Sequence, residues 1–395
     1  MVSYEGLCRE LTTHPAGFGP LSKVGARSAL RRYSAAWSAA DRRRREGARR
    51  PGYPRRKRLL MPVRFCDRKF EIDRTGRRIR LLVAKGYPEL WLRLACPIPY
   101  PLEAVRAVTL VQEGGRLYLD VTALLNVEDN QLDATSVGGV DLGIIHPFAV
   151  VTDRHALLIS GRALRAEERL HLADQKARSR RSALRAPKRG QRGSKRWRKH
   201  RWRERRAEAR HSRRIRQAHH EAARLVVSFA VRHGIGTLRV GQPKGITRVD
   251  HGAVQNLRLR HWHRSHLTQV LKDKAEVAGI RVDLVDERGT SSTCPACRRG
   301  VSKPKGRIFR CIHCGFQGHR DLVGAHNIAA NGLGGGITRM DILVLHRRAG
   351  HPPARRDRRR QLYDDGRQAV LPGTGPPGDT RESLATRGDQ ATTRR

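Results

Sequence analysis

The sequence predicts an α/β fold with a small β-rich domain in front of it, and three observations carry that prediction. TLRVG (237–241) and IRVDLVDE (280–287) are short apolar strand candidates, and a helical pattern between them, over 254–278, puts Leu257, Trp262, Leu267 and Leu271 on one face. Strand, helix and strand in that order make a right-handed crossover and a parallel pair. Upstream, VGGVDLGIIHPFAVVTD (137–153) reads as two apolar strands joined by a turn near His146 and Pro147. Its first strand is nearly uninterrupted in apolar residues, which predicts burial on both faces. Earlier still, KFEIDRT, RRIRLLVAK, AVRAVTLVQ and RLYLDVTALL alternate or run apolar between Gly-centred turns over 61–127, the texture of a barrel or sandwich.

The remaining elements follow in chain order. The first 25 residues show little periodicity, whereas 28–46 reads as a helix with Leu30, Tyr33, Trp37 and Ala40 on one face, closed by the breaker ARRPGYPRRK. From 178 to 216 about half of the positions are Lys or Arg, with Trp197 and Trp202 interleaved. Two helices joined by APKRGQRG (186–193) are the simplest reading of that stretch, and HHEAARLVVSFAVRHG continues the second. HRDLVGAHNIAANGL closes the α/β domain as a helix. Beyond 333 the chain is rich in Gly, Pro and Arg and is expected to be disordered.

Composition narrows the function classes. Among 395 residues, 82 Lys+Arg against 36 Asp+Glu leave a formal charge of +46, which repels itself unless a polyanion is the partner. An enzyme for small neutral metabolites is therefore disfavoured. No apolar run reaches the length of a membrane span, and MVSYEGLCRE carries no secretory signal, so a cytoplasmic protein is expected. Seven cysteines make an odd set. Cys8, Cys66 and Cys96 are isolated, which argues against a disulfide scaffold and for a reducing compartment.

The other four cysteines form two C-x-x-C pairs, Cys294/Cys297 and Cys311/Cys314. Each pair turns two sulfurs towards one point, and two such knuckles complete a tetrahedron around a structural Zn²⁺ with no open position; His313 is a bystander. The acids are more scattered. Asp141 sits inside an apolar strand, where a carboxylate is costly without compensation, while Asp321 stands at a helix start and reads equally as an N-cap. An early strand Asp, parallel strands and a late helix-start Asp together outline an RNase H-like arrangement, in which carboxylates gather at one sheet edge to hold two Mg²⁺.

GGVDLGIIHPFAVV, the basic hairpin, TLRVGQPKGI, DERGTSSTCPAC, CIHCGF and HRDLVGAHNIA resemble, in that order, the RuvC-like domain of the TnpB (OrfB) family of insertion-sequence proteins. The resemblance implies an RNase H-like (RuvC) domain over 136–333 with a basic helical hairpin at 163–225 and a zinc-ribbon insert at 290–318. It implies a β-barrel-like, wedge-like domain with a helical insert at 61–135, and a partial, N-terminally truncated recognition region at 1–60. The tail, 334–395, is expected to be disordered. By resemblance Asp141 and Asp321 are the first and last catalytic, Mg²⁺-binding carboxylates, and the four cysteines are the zinc ligands. The family places Glu at the end of the strand that here reads Leu238-Arg239-Val240-Gly241-Gln242. Glu287, ending the next parallel strand only about 4.8 Å away, can swing into the vacated position, whereas Asp286 points to the opposite face. The alternative for Glu287 is a solvated strand-end acid.

The basic hairpin is expected to track phosphates and stack rings through Arg196, Trp197, Arg198, Lys199, Arg201, Trp202 and Arg203, against the plainer reading of a solvated face. His219 and His220 diverge on a helix and read as surface or packing residues, and 255–258 is a weak candidate for contact with a bound strand. The resemblance implies guide RNA and target DNA as partners and a prokaryotic, nucleoid-associated location. Three functions remain open: an RNA-guided endonuclease cutting by two-metal-ion hydrolysis, a nuclease-inactive guided DNA binder or repressor, and a plain zinc-containing nucleic-acid-binding protein. Oligomeric state is not legible.

Overall fold

The computed structural model describes residues 3–14, 19–47, 61–66, 69–126, 130–188, 190–242, 250, 252, 256–257, 259, 262–302, 306–330 and 341–346. The breaker at 48–57, positions 255 and 258, and the chain beyond 346 lie outside them. Two helices open the chain: α1 (Tyr4–Thr13), capped by Ser3, and α2 (Lys23–Arg45), capped by Ser22, whose hydroxyl accepts the Gly25 N–H. The first falls where the sequence shows little periodicity. The second starts earlier than the pattern predicts and turns a different face inwards: Gly25, Ala26, Ser34 and Ala40 are buried while Tyr33 is exposed. Small residues let the helix lie close on the sheet, and Val63 sits where a Cβ at Gly25 would meet it at 3.3 Å.

The β-rich region holds β1 (Val63–Cys66), β2 (Phe70–Ile72), β3 (Arg78–Leu81), β4 (Leu90–Arg93), β5 (Val105–Glu113) and β6 (Arg116–Ala123). They pair as two three-stranded antiparallel sheets, β1-β5-β6 and β2-β3-β4, around one core of Val63, Phe65, Ile79, Leu81, Val105 and Val108. Two separate sheets around one core match the sandwich of the two expected alternatives and not the closed barrel. Pro97, Pro99 and Pro101 after β4 lack an N–H for a ladder, while Ile98 between them donates to the Gly76 carbonyl at 3.0 Å. Leu21, just ahead of α2, bridges antiparallel to Val83 and packs on the same core, so α2 runs between that bridge and β1.

The larger unit is a six-stranded sheet. Its strands are β7 (Val137–Asp141), β8 (Phe148–Val151), β9 (His155–Ser160), β10 (Thr237–Gln242), β11 (Arg281–Asp286) and a last strand, Asp341–His346, in the order β11-β10-β7-β8-β9 and then that strand. The β7-β8-β9 meander is antiparallel, while β10 runs parallel to β7 and β11 parallel to β10. Between them come α3 (Arg162–Ala183), α4 (Lys195–Arg232) and α5 (Arg264–Val277); the cysteine-bearing segment adds β12 (Ile308–Arg310) and β13 (Gln317–His319) before α6 (Arg320–Ala329). Asp341–His346, β14, pairs parallel with β9. It is an exception to the mostly disordered tail expected past 333, because the apolar run DILVL is diluted by its Gly- and Arg-rich flanks when composition is averaged.

Both faces of the sheet are covered. On one, Val140, Phe148, Val150, Leu157, Leu238 and Val240 pack under Ala223, Val226 and Ala230 of α4 and Leu267 and Leu271 of α5. On the other, Ala149, Val151, Ala156 and Leu158 pack under Leu322 and Ala325 of α6. The alternation along β7 therefore sends Val140 to the first face and Gly139 and Asp141 to the second. Gly139 is required there: a Cβ would lie 1.9 Å from the Ala325 carbonyl oxygen and 2.8 Å from the Ala329 nitrogen. Helix α6 rests directly on the strand backbone.

Candidate metal-binding and nucleic-acid sites

Asp141 ends β7 and Asp321 lies in the first turn of α6, so the glycine contact that seats α6 on β7 also brings these two acids to one edge of the sheet. The Asp141 carboxylate leans on the helix where Gly324 leaves room; a Cβ there would be 3.1 Å from Oδ2. Glu287 follows β11 by one residue. Its Oε2 lies 2.7 Å from where a Cβ at Gly241 of β10 would stand, so the later strand's acid occupies the side-chain space that β10 leaves open. Gln242 is exposed, as is Asp286, which accepts the Arg288 N–H. Asn327 of α6 fixes the loop after Glu287 by donating to the carbonyls of Thr290 (2.7 Å) and Thr293 (2.8 Å).

Asp141 feels both of the other acids. Burial, reinforced by the charges of Asp321 and Glu287, pushes the Asp141 carboxyl up to about 8 from an ordinary value of 3.8, against a smaller opposing pull from Arg320. Burial would also raise Asp321, but a hydrogen bond from His146 and the Arg307 charge hold it below the usual carboxylate range. His146 Nδ1 lies 2.7 Å from Asp321 Oδ2, and Arg307 Nη1 lies 3.0 Å from both oxygens. The shift at Asp141 carries a sign. A carboxyl whose folded pKa exceeds its unfolded one costs no stability below the unfolded value, costs progressively more as pH rises from 3.8 towards 8, and costs its full amount above that. Asp141→Asn in Mg²⁺-free buffer is thus expected to raise Tm by several degrees at pH 9, each pKa unit being worth ~1.4 kcal/mol, with the gain shrinking to nothing near pH 4. Paired thermal melts across that range test it, and a pH-independent difference would refute the coupling.

The four cysteines meet as their spacing predicts. Cys294 Sγ is 3.6 Å from Cys314 Sγ, Cys297 Sγ is 3.6 Å from Cys311 Sγ, and all four sulfurs lie within 4.8 Å of one another. Bonds near 2.3 Å to a tetrahedral ion demand sulfur separations of about 3.8 Å, so the set fits Zn²⁺. The residue after each pair, Arg298 and Gly315, has a positive φ (61° and 72°), which turns the chain back over the thiols. Phe309, fully buried against Cys294, Phe316 and Val323, ties this module to α6.

The basic hairpin is formed by α3 and α4. Arg196, Arg198, Lys199 and Arg203 are exposed on it, beside a cavity of about 350 Å³ near its tip. The two tryptophans are tied into the fold in different ways. Trp197 is half-buried, its Nε1 donates to the Ser182 carbonyl (3.3 Å), and Gly193 is bare because a Cβ would strike its ring at 2.3 Å. It clamps α3 to α4 and also lines the cavity near the hairpin tip. Trp202 is 38% exposed but stands on Gly115 in the β5–β6 turn, with the Arg206 guanidinium 4.4 Å from its ring centre. Arg201 pairs with Glu204 at 2.6 Å. His219 is buried, with Nδ1 2.9 Å from His266 Nδ1, and so packs as expected.

Sequence reasoning missed His146, Arg307, His319 and Asn327. His146 lies in an apolar turn, and the other three flank or follow the cysteines, so nothing local marks them as neighbours of an acid. Among the described residues no helix is long and apolar enough to cross a membrane.

Comparisons with known proteins find two family matches along the chain. Residues 121–247 match the family described as "Probable transposase" (OrfB, IS605), and residues 265–328 match "Cas12f1-like, TNB domain". A 112-residue segment is 32% identical to the CRISPR-associated endodeoxyribonuclease Cas12f1 of Sulfoacidibacillus thermotolerans; it covers 28% of this chain and a quarter (25%) of the relative. The fold is similar to that in the cryo-EM structure of a Cas12f1–sgRNA–target DNA complex, with a TM-score of 0.55 at 16% identity over 78% of this chain and 70% of that one.

Proposed function

Because the chain is TnpB-like and related to the type V effectors, we propose that it is a transposon-encoded, RNA-guided DNA endonuclease that cuts by two-metal-ion phosphodiester hydrolysis. The observation that carries this reading is the Glu287 carboxylate seated over Gly241, which supplies a third acid beside Asp141 and Asp321 where β10 has none. The strand order β9-β8-β7-β10-β11, three antiparallel and then two parallel, supports an RNase H-like core. Three carboxylates are hard oxygen donors suited to Mg²⁺. Mg²⁺ held by Asp141, Glu287 and Asp321 would supply the positive charge that activates water and stabilises the leaving oxygen.

The chain's own residues prepare that chemistry. Asp321 is kept ionised by His146 and Arg307, ready to bind a cation. Asp141 carries its proton near neutral pH and must release it on binding, which links cation affinity to rising pH. The cysteine module, closed by a structural Zn²⁺, holds Arg307 and the β13–α6 junction in place. The exposed arginines of the α3–α4 hairpin position guide RNA and target DNA through phosphates.

A nuclease-inactive guided DNA binder is the second reading, favoured by one observation: Arg307 already occupies both oxygens of Asp321. Protein purified with its bound RNA is expected to cut a guide-matched target only with Mg²⁺, and Asp141→Ala to abolish cutting while binding persists. Target left intact by the wild type despite guide-dependent binding would select the second reading. Cutting that survives Asp141→Ala would sink the first.

A further inference from the structure

Asp321 faces two imidazoles as well as an arginine. The His146 and His319 rings meet edge to face with centroids 5.1 Å apart, and one ligand atom from each of His146, His319 and Asp321 lies within 4.8 Å of the other two. Bonds near 2.1 Å to a single ion place neighbouring ligands about 3 Å apart, so small side-chain shifts would bring all three onto one centre. Their supports are rigid. His146 sits 6% exposed in the β7–β8 turn, where its carbonyl accepts the Gly143 N–H at 3.0 Å; His319 ends β13; and Asp321 is in the first turn of α6. His319 contributes an independent observation: its Nδ1 is buried and has no hydrogen-bond partner among the described residues. A buried nitrogen in that position carries a free-energy cost that a bound cation would remove.

We propose that His146, His319 and Asp321 form a metal site separate from the four cysteines and sharing only Asp321 with the three-carboxylate set, taking a borderline transition ion such as Zn²⁺, Co²⁺ or Mn²⁺. Imidazole nitrogens favour such ions over Mg²⁺, and two histidines with one carboxylate are a common facial set for them. The inference does not rest on the nuclease reading, although Asp321 belongs to both. Arg307 is the opposing group. Its guanidinium already contacts both Asp321 oxygens, so an incoming cation must push it aside or bind against its charge.

Metal-stripped full-length protein, dialysed against Zn²⁺ in an excess of Mg²⁺ and with no nucleic acid present, is expected to retain one zinc ion more than a His146→Asn/His319→Asn double variant. Equal zinc content in the two would overturn the site. Arg307→Ala, which leaves every proposed ligand intact, is expected to bind that additional ion about tenfold more tightly, because a neighbouring positive charge is gone. Unchanged or weaker affinity would overturn the proposal even if the double variant failed to fold. Zinc per chain is read without any cutting, so a catalytically dead protein would not mimic either result.

Discussion

Glu287→Gln is expected to reduce guided target cleavage by about a thousandfold or more, because an amide keeps the shape of the side chain but cannot neutralise a divalent cation. The fold should survive, since Glu287 lies beyond the last paired residue of β11. The same change removes one of the charges that raise Asp141, so the Asp141 pKa should fall from its value of about 8. A second variant separates a ligand from a merely nearby acid. In the wild type a Cβ on Gly241 collides with the Glu287 carboxylate at 2.7 Å and with the tip of Ile328 at 2.6 Å. With Glu287→Ala the carboxylate is gone, leaving the alanine Cβ at 3.3 Å and the flexible end of Ile328, so adding Gly241→Glu should restore part of the lost cleavage from the neighbouring strand. Wild-type rates in Glu287→Gln would remove the glutamate from the mechanism.

Zinc removal is expected to be as damaging by another route. Structural zinc contributes roughly 10 kcal/mol or more to the folding of small modules, far beyond what Phe309 and its few neighbours supply. Chelation, or Cys311→Ser, should therefore loosen 290–319 to proteolysis and lower the Tm of the whole chain. Cleavage should vanish although no thiol touches the carboxylates, because Arg307 and His319 belong to that segment and Asp321 follows it directly. Added Zn²⁺ should reverse the chelation effect but not the substitution. A chelated protein with unchanged Tm and protease pattern would show that the thiols hold no structural ion.

What could be read from the chain depended on whether the signal was local. The β10–α5–β11 crossover was visible because hydrophobic spacing changes from strand to helix and back, and the cysteine pairs because a C-x-x-C turn encodes its own geometry. The reach of Glu287 towards β10 was expected from the family resemblance combined with strand spacing, and the structure sets its carboxylate over Gly241. Local readings failed where tertiary partners decide. Trp197 and Trp202 sit in the same basic run, yet the Ser182 carbonyl claims one and the β5–β6 turn supports the other. His146 and Arg307 are 161 positions apart and meet only through Asp321. β14 was hidden by composition, and α1 by its shortness.

The bare contact between α6 and β7 at Gly139 has a further consequence. Side chains normally cushion a helix against a sheet, and substitutions in that cushion let the two layers drift by fractions of an ångström. Here main chain abuts main chain, so the gap separating the acids at the ends of these two elements is gauged by peptide geometry. Variation in the surrounding hydrophobic residues should then alter how firmly the protein stays folded while leaving the spacing of its outer two carboxylates almost untouched.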